Sequence, residues 1–206
     1  MKLSCSVIFL TAFFSGCAHV DSKTTRFFAP QYKSTGTISV IATTAEANNS
    51  LEFSHYKPRI EQKLASNGYT IVSNPSEAKY VALVAYGIDE GKTAIVSTPM
   101  FGQTGGGTTT FSSSGRSYYT MPTYGIVGSS TNSVAQYSRA IALDIVDAAS
   151  IKEGQPKKIL ESRTKSVGSC SSFAGVFDEM LEAMFKDFPG ESGKVISVEL
   201  PFKGKC

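Results

Sequence analysis

Two helical stripes and a set of short apolar runs organise this chain. Tyr56, Ile60 and Leu64 recur every four residues, which predicts a helix over 56–67 with Gly68 as its C-terminal cap. Pro58 is expected only in a first turn, and this places the helix start. Phe173, Val176, Phe177, Met180, Leu181, Met184, Phe185 and Phe188 follow an i, i+3, i+4, i+7 pattern, predicting a second helix over 173–188. Ser172 is its expected N-cap, and Pro189-Gly190 its stop. Between and around these helices lie predicted strands at 37–43, 69–73, 79–89, 138–147, 158–167 and 194–201. The run 79–89, "KYVALVAYGID", is apolar on both faces and reads as a buried central strand. Ile141, Leu143 and Ile145 alternate, and 158–167 follows as a hairpin partner.

The predicted order is β-α-β-β, a long insertion, then β-β-α-β. Two amphipathic helices need a sheet to cover. The expected fold is therefore α+β, an α/β two-layer sandwich. Its sheet is mixed, largely antiparallel and of about six strands, with both helices on one face. Residues 18–36 are polar and read as a flexible tether, with a reach of roughly 25 Å, in which Phe27 and Phe28 are candidates to dock on the domain. The single domain is expected over 37–206.

The insertion, 97–136, breaks this pattern. It is dense in Gly, Ser and Thr and carries one charge, Arg116. "PMFGQTG" (99–105) and "PTYGIVG" (122–128) share Pro-x-aromatic-Gly-x-x-Gly, and "SSSGRS" at their midpoint reads as a turn. This predicts an extended hairpin arm or an ordered flap. Three roles stay open: a low-complexity linker, a surface for an envelope protein partner, or a glycan or peptidoglycan site. The candidate binding residues are Phe101, Phe111, Arg116, Tyr118, Tyr119 and Tyr124.

The N-terminus adds a location. Lys2 is followed by an apolar stretch over 3–14, too short to span a bilayer, and then by Ser15, Gly16 and Cys17. This resembles a bacterial lipobox, with residues 1–16 as signal peptide and Cys17 as the lipidated first residue of the mature chain. The alternative is an ordinary secretory signal with a chance cysteine. Ala18, in place of Asp, resembles the sorting signal for the outer membrane, which implies a domain facing the periplasm. In the lipobox reading the membrane is reached through lipid on Cys17. Cys5 leaves with the signal, and Cys170 and Cys206 remain in an oxidising compartment. If the last strand runs antiparallel to the second helix, these two meet as a disulfide. Free thiols or an intermolecular link are the alternatives.

Composition removes other classes. The chain has 206 residues, 41% hydrophobic and 18% charged, enough for one domain with a sizeable core. A net charge of +3 without any Lys/Arg run gives no nucleic-acid footprint. There are two histidines, His19 and His55, and no His/Cys/Asp spacing suited to a metal. "GIDEGKT" (87–93) is one residue short of a phosphate loop and is followed by an extended segment instead of a helix. His55 borders a predicted helix start, where it is solvated or capping. The acids of "DEMLE" (178–182) are expected on a solvated helix face. No catalytic residue, cofactor or metal is implied, and the chain reads as a non-enzyme.

The lipobox, "RIEQKLASNGYTIVSNPSEAKYVALVAYGI" (59–88), "YSRAIALDIVDAAS" (137–150), "KKILESRTKSVGS" and "FDEMLEAMFKDFP" together resemble the bacterial lipoproteins classed as domain of unknown function 4136. The order of these pieces carries the resemblance, which covers most of 37–200. It implies an α/β envelope domain and brings no catalytic residues with it.

Overall fold

The computed structural model describes residues 18–105, 109–111, 117–119, 123–152 and 156–206. The expected signal peptide, the lipidation candidate Cys17 and the arm residue Arg116 lie outside these residues.

The strands are β1 (His19–Phe28), β2 (Gly36–Ala42), β3 (Tyr69–Ile71), β4 (Tyr80–Ile88), β5 (Lys92–Gly105), β6 (Thr109–Phe111), β7 (Ser117–Tyr119), β8 (Thr123–Asp147), β9 (Lys158–Gly168) and β10 (Val195–Pro201). The helices are α1 (Ala45–Asn48), α2 (Leu51–Ser66), α3 (Ala148–Lys152) and α4 (Phe177–Phe185). Eight strands form one sheet in the order β10-β1-β9-β8-β4-β2-β3, with β5 paired to β8 off this path, and β6 pairs with β7 separately. Only β2 with β3 and β2 with β4 are parallel. The expected α+β class holds, with more strands than the six expected.

Both long helices cover one face of the sheet. Ile38 and Val40, Ala82 and Val84, Ile141, Leu143 and Ile145, and Leu160 share one core with Phe53, Tyr56, Ile60 and Leu64 of α2 and Phe177, Met180 and Met184 of α4. The helices meet where the Tyr56 ring stacks on Phe177, with centroids 3.9 Å apart. The opposite face carries Asp21, Lys23, Glu161, Arg163 and Lys165 toward solvent, as an antiparallel sheet with one wet face allows.

The structure corrects the expected tether. Residues 19–28 are a strand inside the sheet, hydrogen-bonded to β10 on one side and β9 on the other. Residues 29–35 are also fixed to the body: Ala29 N–H donates to Ile159 O, Tyr32 and Tyr69 share a hydroxyl hydrogen bond of 2.7 Å, and Ser34 Oγ donates to Asn67 O. The residues of β1 that face the helices are Val20, Ser22, Thr24 and Arg26, so its buried stripe is mostly polar. Thr24 Oγ1 lies 2.8 Å from Thr164 Oγ1 and 3.2 Å from Ala183 O. The Arg26 guanidinium donates to the carbonyls of Met184, Lys186 and Pro189 at the end of α4. Helix ends leave such carbonyls without intrahelical donors, and a cation there also suits the helix dipole.

The helix starts differ from expectation as well. α2 begins at Leu51, where Ser50 Oγ accepts the Phe53 N–H at 3.0 Å, so Pro58 lies inside the helix. The carbonyl that Pro58 leaves without a partner is that of Ser54, and both residues are exposed, so water can satisfy it. α4 starts at Phe177 without a side-chain cap, and Phe173 and Val176 are buried in the turn ahead of it. Glu179, expected on a solvated face, is buried and accepts the Lys203 N–H at 2.8 Å.

Cys170 and Cys206 are bonded, with Cα atoms 5.2 Å apart. The bond holds the C-terminal tail against the loop before α4. Gly204 and Gly175 cross there so closely that a Cβ on Gly204 would stand 1.7 Å from Gly175 O.

Candidate functional site

The arm grows directly out of the sheet. β4 and β8 pair from Tyr80↔Asp147 to Ile88↔Arg139, and β8 is one continuous strand reaching back to Thr123. Beyond the body it pairs with β5, from Lys92↔Gln136 out to Gly105↔Thr123. Fourteen residues of strand make this ribbon about 46 Å long. The outer edge of β5 has no strand beside it among the described residues, and β9 pairs with β8 only from Tyr137 inward.

"GIDEGKT", set aside as a phosphate loop, is the corner where the arm leaves. Asp89 Oδ1 accepts the N–H of Gly91 at 3.1 Å and of Ser138 at 2.8 Å, tying the outgoing strand to the returning one. Gly91 has φ +81°, and a Cβ there would meet the Tyr137 ring at 2.6 Å. The backbone hydrogen bond from Ser138 holds the Asp89 carboxyl below its ordinary range. A lowered folded value means that the contribution is present above the unfolded pKa and is lost as pH falls through the folded one. Asp89→Ala should therefore speed amide exchange at Gly91 and Ser138 at neutral pH while leaving exchange in α2 unchanged. Wild-type protein should show the same local loss on acidification. Equal protection in the variant at neutral pH would remove Asp89 from the corner.

The internal repeat pairs with itself. Met100 faces Gly128, Phe101 faces Ile126, Gly102 faces Gly125 and Gln103 faces Tyr124, with irregular register at Met100/Phe101 and Gln103/Gly105. The two aromatic-Gly steps are thus brought together across the ribbon, with Phe101 and Tyr124 as diagonal neighbours on one face. Both are solvent-facing, at 74% and 72% exposure, and Ile95, Met100, Ile126, Val127 and Val134 are exposed along the same ribbon. By register Phe101, Tyr124 and Ile126 share one face of the ribbon, and an exposed apolar cluster of this kind marks a contact surface. Phe111, Tyr118 and Tyr119 fall in β6 and β7, where Thr110 pairs with Tyr118 and Phe111 with Ser117. The positions of their side chains lie outside the described residues.

Other candidates are weaker. The open face of β10, β1 and β9 holds a groove of about 1120 Å³, lined by the opposed pair Lys23 and Lys165 and by the opposed pair Asp21 and Glu199. Beneath the arm's base, Ser22, Ser166 and Arg139 form one cross-strand row on the helix side. Arg139 is buried, its Nε has no hydrogen-bond partner, and burial lowers its pKa. Ser22 Oγ and Ser166 Oγ are also unpaired. His55 is exposed on α2, with its ring 6.1 Å from that of Tyr56. Among the described residues no group of three His, Cys, Asp or Glu is placed to hold a metal, and no helix is long and apolar enough to cross a membrane.

Comparison with known proteins adds a family. The family described as Domain of unknown function (DUF4136) matches residues 19–190, a span that opens on the first residue of β1. No curated protein matches. Three chains of solved structures match. One is the crystal structure of a PDZ domain protein from Parabacteroides distasonis, 11% identical, with a TM-score of 0.44. The alignment covers 90% of this chain and 40% of that one, so this chain spans well under half the length of that protein.

Proposed function

This chain belongs to the DUF4136 family, and from that premise we propose that it is a cell-envelope lipoprotein without catalytic activity, anchored through lipid on Cys17 and acting as a structural or contact-making module through its arm. Ser15, Gly16 and Cys17 support the anchor, and Ala18 supports the outer membrane with the domain toward the periplasm. The observation that carries the reading is the ribbon of β5 and β8, with seven exposed apolar side chains outside the body of the fold. A free ribbon of two strands gains little stability by itself in water, so a contact gives it a reason to be long.

Photo-crosslinkers placed in living cells at Tyr124, and for reference at Phe27 on the far end of β1, test this reading. Adducts from Tyr124 and none from Phe27 are expected. Adducts from Phe27 alone would move the contact surface to the sheet. Capture by isolated sacculi that is lost in Tyr124→Ala would instead assign the arm to glycan. The intact mass of the extracted protein reads the anchor separately, through a lipidated chain starting at Cys17.

A further inference from the structure

The arm and the start of β1 lie at the same end of the sheet. β4 rises toward the arm, β8 returns antiparallel to it, β9 rises again, and β1 descends from His19. The start of β1 therefore lies level with the arm's base. The register makes this explicit: Ser22 aligns with Ser166, Ser166 with Arg139, and Arg139 with Ile88, the last residue before the arm's corner. β1 and β8 are two strands apart, about 10 Å. Ala18 is held at this end as well, its carbonyl accepting the Phe202 N–H at 2.8 Å. Cys17 directly precedes Ala18 in the sequence.

We propose that the arm is a membrane-interface element, lying on the phospholipid surface of the same bilayer that anchors Cys17. The proposal rests on the lipid-anchor reading above and names what the arm touches. A chain anchored at Cys17 keeps this end of the body within a few ångströms of the headgroups, and the arm projects from that end by about 46 Å. Lipid suits its chemistry. Between residues 97 and 136 the one charge is Arg116, and the exposed residues are aliphatic or aromatic among Ser, Thr and Gly. Tyr124 has the amphipathic ring that settles at headgroup depth, and Phe101 adds apolar area beside it on the same face. The ribbon does not enter the hydrocarbon alone, because unpaired strand edges are too costly there. It lies along the interface, with edge N–H and C=O groups still reaching water and headgroups. With no cluster of cations on the described arm, binding needs no anionic lipid and resists salt.

The chain contains no tryptophan, so one introduced residue reports alone. Tyr124→Trp replaces an exposed aromatic by another and should leave the fold intact, and Phe101→Trp repeats the test on the neighbouring strand. The full chain, extracted with its lipid, is reconstituted into zwitterionic vesicles containing brominated phosphatidylcholine. Both arm reporters should shift to the blue and lose most of their emission, more with bromine near the glycerol end than near the methyl end. Phe27→Trp, at the far end of the body, should be unaffected, and high salt should change nothing. Arm reporters that stay unquenched while the protein floats with the vesicles would overturn the proposal, as would stronger quenching from the methyl end. The intact mass of the same sample separates the two readings. Quenching in a chain without lipid would sink the anchor and keep the arm's contact, whereas an anchored chain with unquenched reporters would sink the contact alone.

Discussion

Arg26→Met should cost about 4 kcal/mol of folding stability, from the carbonyl groups left without donors. The substitution keeps the apolar stem and removes the guanidinium that joins Met184, Lys186 and Pro189 at the end of α4. Arg26 is 4% exposed, so water does not take the place of the lost donors. Burial depresses its pKa, with Asp187 opposing that effect, and the group remains a cation at neutral pH. Arg26→Lys should recover only part of the loss, because one ammonium cannot reproduce a planar fork reaching three carbonyls. The measurement is the urea midpoint of each variant at constant slope. A loss below about 1 kcal/mol for Arg26→Met would mean that α4 is held by its apolar face alone.

Removing the Cys170–Cys206 bond should be of similar size. The two residues are 36 apart in sequence, and closing a loop of that length restricts the unfolded chain by about 4 kcal/mol in the chain-entropy account. The double variant Cys170→Ser, Cys206→Ser is the cleaner comparison, since it removes the link without adding a reductant. Its urea midpoint should fall, and limited proteolysis should trim the tail beyond Phe202 before the body is cut. An unchanged midpoint would show that the tail's packing at Gly175 and Gly204, together with the Glu179 contact to Lys203, holds it without the bond.

Several elements were legible in the residues alone because their burial is apolar and periodic. The stripe from Phe173 to Phe185 is buried as its spacing predicts, and Ile141, Leu143 and Ile145 face the core as their alternation predicts. The pairing of the two Pro-x-aromatic-Gly copies was legible from their symmetry about a turn. What escaped did so for a physical reason. β1 hides polar groups instead of apolar ones, so "HVDSKTTRFF" inverts the signal by which a half-buried strand is read. Thr24 and Arg26 are acceptable inside because β9 offers the Thr164 hydroxyl to Thr24 and α4 ends above them in open carbonyls, whereas Ser22 Oγ is buried without a partner. The start of α2 was misplaced because Pro58 reads as a first-turn residue, and only the exposure of Ser54 shows why it is tolerated in the interior. The segment at Asp89, rejected as a phosphate loop, is a turn after the central strand, but the partner of its carboxylate, Ser138, was not legible because it is distant in sequence. Of the arm, the paired aromatic positions Phe101 and Tyr124 were legible from the repeat. That they leave the fold beside the start of β1 was not, because strand order sets it.

The place of β1 between β9 and β10 also sets an order of assembly. β1 pairs with residues as distant as Pro201, opposite His19. Both neighbours lie more than a hundred residues along the chain, so the contact order at this side of the sheet is high and its closure is slow. Until then β1 and β9 both present open main-chain edges. Lys23, Arg26, Arg163 and Lys165 lie along those edges, spaced so that nascent strands of neighbouring molecules meet charge before they meet backbone.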